Sequence, residues 1–171
     1  MSELMKRTLL IIVAGMMSNA VQAANLNISG TVVANPCTVD TGSVSQYVDF
    51  QQVHKSQLID VGSSTDWKPF QVKLTNCPEA TEKATVTFSG TPAPEAPLTM
   101  FANASTATNV AVQMAPDAVR TQFLGNGSTM VVDIDAQHNA VYNLAGRLVS
   151  VNGSAGPGDF SSIVLMNFTY Q

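Results

Sequence analysis

The sequence predicts an all-β domain, a sandwich of short antiparallel strands, and three observations predict it. Apolar and polar residues alternate in one short run after another, the period of a half-buried strand. Turn residues, chiefly Gly, Pro and Asn, separate these runs. Nowhere after the first two dozen residues does the 3.6-residue period of an amphipathic helix take over, and many short strands with regular turns indicate a β-sandwich.

In chain order, the first segment stands apart from that pattern. Lys6 and Arg7 are followed by the apolar run Leu9 to Met17 and then by Val21-Gln22-Ala23. A basic start, an apolar middle too short to span a bilayer comfortably and a small-residue cleavage site form the layout of a secretory signal peptide, cut after Ala23. A membrane anchor would need stop-transfer charges behind it, and none follow. The expected organisation is a signal peptide at 1–23, an N-terminal extension at 24–35 and one domain at 36–171, with no repeat or linker dividing it. Removing the signal leaves 171 − 23 = 148 residues, enough for one workable core. Glu3, Lys6 and Arg7 leave with it, so 6 Lys and Arg face 11 Asp and Glu, a net charge of −5. That balance offers no basic patch to nucleic acid. Charged residues make up 12% of the sequence, against about 25% in a typical soluble domain. Such a surface suits a chain that packs against copies or relatives of itself.

Residues 24–35 read as a strand: Leu26, Ile28, Gly30 and Val32 are apolar or small, and Asn25, Asn27, Ser29 and Thr31 between them are polar. A strand at the start of a mature chain frays unless something ties it down, so this one is expected to be tied into another molecule. Cys37 and Cys77 both follow the export signal, which places them in an oxidising compartment. Neither lies in a CxxC or near a pair of histidines, so zinc and thiol catalysis are poorly supported and a disulfide is expected. Closing a loop of that length stabilises by about 4 kcal/mol through lost unfolded-state entropy.

The alternation continues to Asp40 and breaks at the turn Thr41-Gly42-Ser43. Tyr47 to Phe50 reads as a strand with Val48 and Phe50 on one face. His54 to Ser64 reads as loop with a helical turn. Pro69 to Cys77 alternates cleanly, with Phe70, Val72 and Leu74 inward. Ala84 to Gly90 repeats the pattern with Val86 and Phe88 inward, and the proline-rich stretch Thr91 to Pro97 ends it as an exposed loop, because proline cannot sit in a central strand. Strands follow at Asn109 to Met114, Met130 to Ile134 and Tyr142 to Val151, with turns at Gly125 to Ser128 and Asn152 to Gly158. The final run, Ser161 to Gln171, points Val164, Met166, Phe168 and Tyr170 one way. Ile163 and Leu165 make its opposite face partly apolar, which predicts deep burial.

No constellation for catalysis emerges. His54 and His138 lie in polar stretches that read as solvated loop. Asp133 and Asp135 would share a strand face, but their plainest reading is the outward side of Val132 and Ile134, and calcium needs six or more oxygens from a loop. No serine stands in a GxSxG elbow, and Gly153, Gly156 and Gly158 do not make the phosphate-cradling GxGxxG. Trp67, the single tryptophan, reads as core or rim packing in preference to a sugar platform. The sequons Asn103-Ala104-Ser105 and Asn126-Gly127-Ser128 arise by chance in a chain so rich in Asn, Ser and Thr. No metal, no small-molecule cofactor and no enzymatic activity are expected.

The motifs that remain carry a resemblance. The export signal, the alternating N-terminal segment, Gly30-Thr31-Val32-Val33-Ala34-Asn35-Pro36-Cys37-Thr38-Val39, Val48-Asp49-Phe50, Phe70-x-Val72-x-Leu74-x-Asn76-Cys77, Val86-x-Phe88-x-Gly90 and the terminal Phe168-Thr169-Tyr170-Gln171 resemble the pilin subunits of chaperone-usher fimbriae. The likeness runs over essentially the whole mature chain. Tyr170 in the penultimate position and Gly158, fourteenth from the C-terminus, match further marks of that family. The segment around Cys37 looks most like the minor tip subunits of type 1 fimbriae, the adaptors between adhesin and rod. The extension before Gly30 is short for an adaptor, so tip adaptor and rod subunit both stay open.

The resemblance implies an immunoglobulin-like sandwich that lacks its last strand and is completed by a donor strand from another chain. It implies a structural role in adhesion, with other pilin subunits, a periplasmic pilus chaperone and an outer-membrane usher as partners, in a fimbrium on the bacterial surface reached through the periplasm. By this likeness Leu26, Ile28, Gly30 and Val32 form the donor strand, and Gly158, Val164, Met166, Phe168 and Tyr170 belong to the strand that a chaperone or donor pairs with. Leu26, Ile28 and Val32 would contribute roughly 1.5 to 3 kcal/mol each on burial, as an upper figure. The competing reading, a self-sufficient secreted binding module or fimbrial lectin, needs a receptor domain in front of the pilin domain, and 148 residues leave no room for one.

Overall fold

The computed structural model describes residues 27–30 and 36–171. The chain divides into two units, 1–32 and 33–171. In the first, Asn27 to Gly30 have no regular secondary structure and Ile28 is 86% exposed. The signal peptide at 1–23, and Leu26 and Val32 of the expected donor strand, lie outside the described residues.

Among its described residues the second unit holds eight strands: β1 (Thr38–Val39), β2 (Lys68–Thr75), β3 (Lys83–Gly90), β4 (Met100–Ala102), β5 (Val110–Pro116), β6 (Thr129–Asp133), β7 (Ala140–Ser150) and β8 (Val164–Tyr170). A single 3-10 turn, Lys55–Gln57, is the helical structure among the described residues. The strands form two sheets, one of five in the order β1-β2-β7-β5-β4 and one of three in the order β6-β3-β8, antiparallel throughout.

The alternation seen in the sequence sets which side chains enter the space between the sheets. Val72 and Leu74 of β2, Tyr142, Leu144 and Leu148 of β7, and Val112 and Met114 of β5 are buried from the large sheet, and Val86 and Phe88 of β3 from the small one. β5 is buried on its outer face as well, at Ala111, Gln113 and Ala115. There Gln113 lies opposite Arg147 of β7, whose guanidinium donates to Gln113 Oε1 at 2.9 and 2.6 Å and to Ser64 Oγ at 3.1 Å. The same guanidinium stacks 4.5 Å from the Trp67 ring centre, so Trp67 packs on the sheet's outer rim.

Four expectations need correction. Tyr47 to Phe50 is not a strand: Val48 and Phe50 are half-buried and Tyr47 and Asp49 exposed, but no partner strand among the described residues pairs with them. Alternation reports sidedness, and a ladder needs a neighbour besides. The proline-rich loop is not merely exposed. Ala93 is buried, Pro92 bridges Phe101, the Ala93 N–H donates to Met100 O at 3.0 Å and the Ala102 N–H to Thr91 O at 2.8 Å, so the loop covers the free edge of β4, a strand the sequence did not announce. Nor is β8 deeply buried: Ile163 and Leu165 are 74% and 61% exposed, and no β8 residue is fully buried. Among the described residues β8 pairs with β3 alone, so its other edge is open there. Asp135 lies beyond β6, in a turn where it accepts the N–H groups of Gln137 and Asn139, and does not share a strand face with Asp133.

Candidate functional site

A seven-residue strand with one edge unpaired among the described residues is the feature that the packing leaves unfinished. Its inward side chains Val164, Met166, Phe168 and Tyr170 touch the core yet remain only partly buried. Long, flat, apolar edges invite another strand, and folded proteins ordinarily blunt or cover them. The edge of β4 is covered by its proline loop and β1 has only two residues. β8 has neither protection.

Beside β8 runs an open groove of about 1420 Å³. Val164, Met166 and Phe168 line it from β8; the stretch from Ser43 to Lys55 lines it from elsewhere; Phe70, Val72, Val112, Met114 and Leu148 contribute from the inner face of the large sheet. The lining contributed by the inward faces of β8 and the large sheet is therefore apolar, and an unpaired backbone edge flanks it. That combination recognises an extended segment, whose main chain would complete the ladder and whose alternate side chains would enter the groove. Ile163, Leu165, Val44 and Tyr47, all strongly exposed, also line it, and contiguous exposed apolar surface of this kind marks an interaction site.

Of the residues singled out in the C-terminal segment, Gly158, Val164, Met166 and Phe168 line the groove together, whereas Tyr170 packs against the core outside it. Gly158 has φ +148°. A Cβ there would lie 2.6 Å from Ala107 N and 2.7 Å from Thr106 C, so only glycine fits against that backbone. Around it the Asp159 N–H donates to Thr106 Oγ1 at 2.8 Å and the Ala107 N–H to Asp159 O at 2.9 Å, which fixes the approach to β8. The sequence did not mark Phe160, which follows directly and lines the groove. A lone Phe in a Gly- and Ser-rich stretch carries no period to betray it.

Cys37 and Cys77, 40 positions apart in sequence, are joined as a disulfide. Cys37 precedes β1 and Cys77 follows β2, strands already paired through Thr38 and Thr75, so the bond pins the root of β1 to the large sheet. Behind the groove, Tyr142 packs its ring 5.6 Å from Phe168, and its buried hydroxyl has no hydrogen-bond partner among the described residues. Burial pushes that hydroxyl far above the usual tyrosine range, and burial also raises Tyr170.

No cluster of three or more His, Cys, Asp or Glu that could hold a metal occurs among the described residues. His54 is exposed and His138, half-buried, sits in a turn with φ +59°. Asp133 forms a surface ion pair with Lys83 at 2.7 Å, which raises the lysine through that hydrogen bond.

Comparison with known proteins agrees with this geometry. The family described as Fimbrial protein matches residues 26–171. Protein FimG of Escherichia coli K12 is 32% identical over 156 residues, covering 90% of both chains. The uncharacterized fimbrial-like protein YdeR of the same strain is 29% identical over the full length of both. Among solved structures, a chaperone-usher pilus subunit superposes with a TM-score of 0.66 at 20% identity, covering 90% of this chain and 99% of that one. The P pilus rod subunit PapA gives the same score and identity over 80% of this chain and 100% of its own. At that identity the superpositions speak for the fold, an incomplete immunoglobulin-like sandwich. With the family matched across nearly all of its length, the chain belongs to the fimbrial proteins, structural subunits of pili and not enzymes.

Proposed function

We propose that this subunit polymerises by accepting, in the groove along β8, an extended strand from another subunit, and by donating its own residues 24–35 to a neighbour in turn. The observation that carries the reading is the unpaired apolar edge of β8 beside an open apolar groove. In this reading residues 1–23 are a cleaved signal peptide, 24–35 the donor extension and 36–171 the pilin domain. Leu26, Ile28 and Val32 enter pockets in the neighbour's groove, and Gly30 allows close approach of the backbones. The subunit passes through the periplasm, where a pilus chaperone lends a strand along β8. At an outer-membrane usher the next subunit's extension replaces it, and the fibre stands on the cell surface.

The test uses the mature chain, residues 24–171, with and without a synthetic peptide of residues 24–35. The peptide is expected to raise the thermal midpoint by several degrees, since completing the sandwich adds both ladder bonds and apolar burial. Deleting residues 24–33 is expected to abolish addition to a partner subunit while leaving capture by a pilus chaperone intact. A chain that unfolds cooperatively on its own and gains no stability from the peptide would overturn the proposal.

A further inference from the structure

Two aromatic rings meet within the groove lining. Phe50 and Phe160 lie edge to face, with ring centres 6.5 Å apart and planes at 85°. They come from separate parts of the lining: Phe50 from the stretch that follows β1, Phe160 from the segment that leads into β8. The Phe50 ring rests on the inner face of the large sheet at Gly146 of β7. A Cβ at that glycine would lie 3.7 Å from Phe50 Cζ and 3.8 Å from Phe70 Cε1. Phe160 is held on both sides by its backbone. The Asp159 carbonyl accepts the Ala107 N–H at 2.9 Å, the Ser161 carbonyl accepts the Ala104 N–H at 2.7 Å, and the Ser161 N–H donates to Asn103 Oδ1 at 2.9 Å.

The two sides are not equally firm. Among the described residues, no main-chain to main-chain hydrogen bond involves residues 45 to 53. Besides its packing at Gly146 and against Phe160, Phe50 is held there by Lys68 of β2, whose ammonium donates to the Asp49 carbonyl and lies 5.7 Å from the centre of the Phe50 ring. Phe50 is thus the leaf that can swing and Phe160 the post it closes on.

We propose that Phe50 and Phe160 form an aromatic gate at the end of the groove where β8 begins, latched by Lys68, and that an incoming strand must part it. The inference rests on the reading of the groove given above and adds a rate-setting element to it. An edge-to-face pair is a modest contact, so the gate slows capture without preventing it, by about two- to tenfold.

The experiment follows association of a fluorescently labelled peptide of residues 24–35 with the mature chain, by anisotropy, across a range of peptide excess. Phe160→Ala removes the post, and Lys68→Met removes the latch while leaving both rings. Both are expected to raise the association rate constant, the first by about two- to tenfold and the second by less. Dissociation reports packing in the filled groove and is read separately. Lys68→Met changes a side chain outside the core, so it keeps the question open to measurement if Phe160→Ala misfolds. Binding to the unaltered chain with association rates unchanged in Lys68→Met, and in Phe160→Ala where it folds, overturns the gate alone. Absence of any peptide binding to the unaltered chain overturns the reading of the groove, and the gate falls with it.

Discussion

Tyr142 buries its hydroxyl in the core without a partner, at the back of the groove-lining Phe168. An unpaired buried hydroxyl costs stability that no contact returns. Tyr142→Phe is therefore expected to be neutral or to stabilise by about 1 kcal/mol in urea unfolding. The same burial gives a pH dependence. Because the folded state holds the Tyr142 hydroxyl above its unfolded value near pH 10, the unfolded chain loses this proton first and binds fewer protons over that range. Stability contributed by the neutral form is complete below the unfolded value and falls as the pH rises beyond it. Comparing urea midpoints at pH 9 and pH 11 should show that decline, and Tyr142→Phe should reduce it. The sequence placed Tyr142 at the start of a strand; that its hydroxyl would meet no partner depends on what packs over it from β8.

At the scale of the element, β8 separates two roles along one strand. Phe168 faces the core and the groove, so Phe168→Ala is expected to cost about 3 kcal/mol, at the low end of the range for a Phe truncation because the ring is only partly buried. Leu165 faces outward and is 61% exposed, so Leu165→Ser should change stability by no more than about 0.5 kcal/mol. Urea midpoints of the two variants check the contrast. Equal losses would mean that the outward face is packed and not open. The alternation of β8 was legible in the sequence, residue by residue. Its setting was not: Ile163 and Leu165 suggested burial on both sides, because apolar residues look alike whether they face a core or an uncovered edge.

For the molecule as a whole, the disulfide holds the root of β1 beside the end of β2, in a sandwich whose small sheet has three strands. Replacing Cys37 and Cys77 by Ala frees a 40-residue loop in the unfolded chain and is expected to cost about 4 kcal/mol, measured by urea unfolding of both forms. A change under about 1 kcal/mol would show that the loop is ordered before the bond forms. The pairing itself was legible from two cysteines behind an expected export signal, and the sandwich class from short alternating runs between turns. What the sequence by itself determined is sidedness: Val72, Leu74, Val86, Phe88, Val112 and Met114 had to point inward, because burying them outweighs any other arrangement of those runs. Only the tertiary structure decided which runs find a partner. Val48 and Phe50 alternate and stay without a ladder, Met100 to Ala102 gain one under a proline loop, and β8 keeps one edge open over the groove. A strand's faces are written in its own residues, but its edges are completed by residues far away in the chain, or by another molecule.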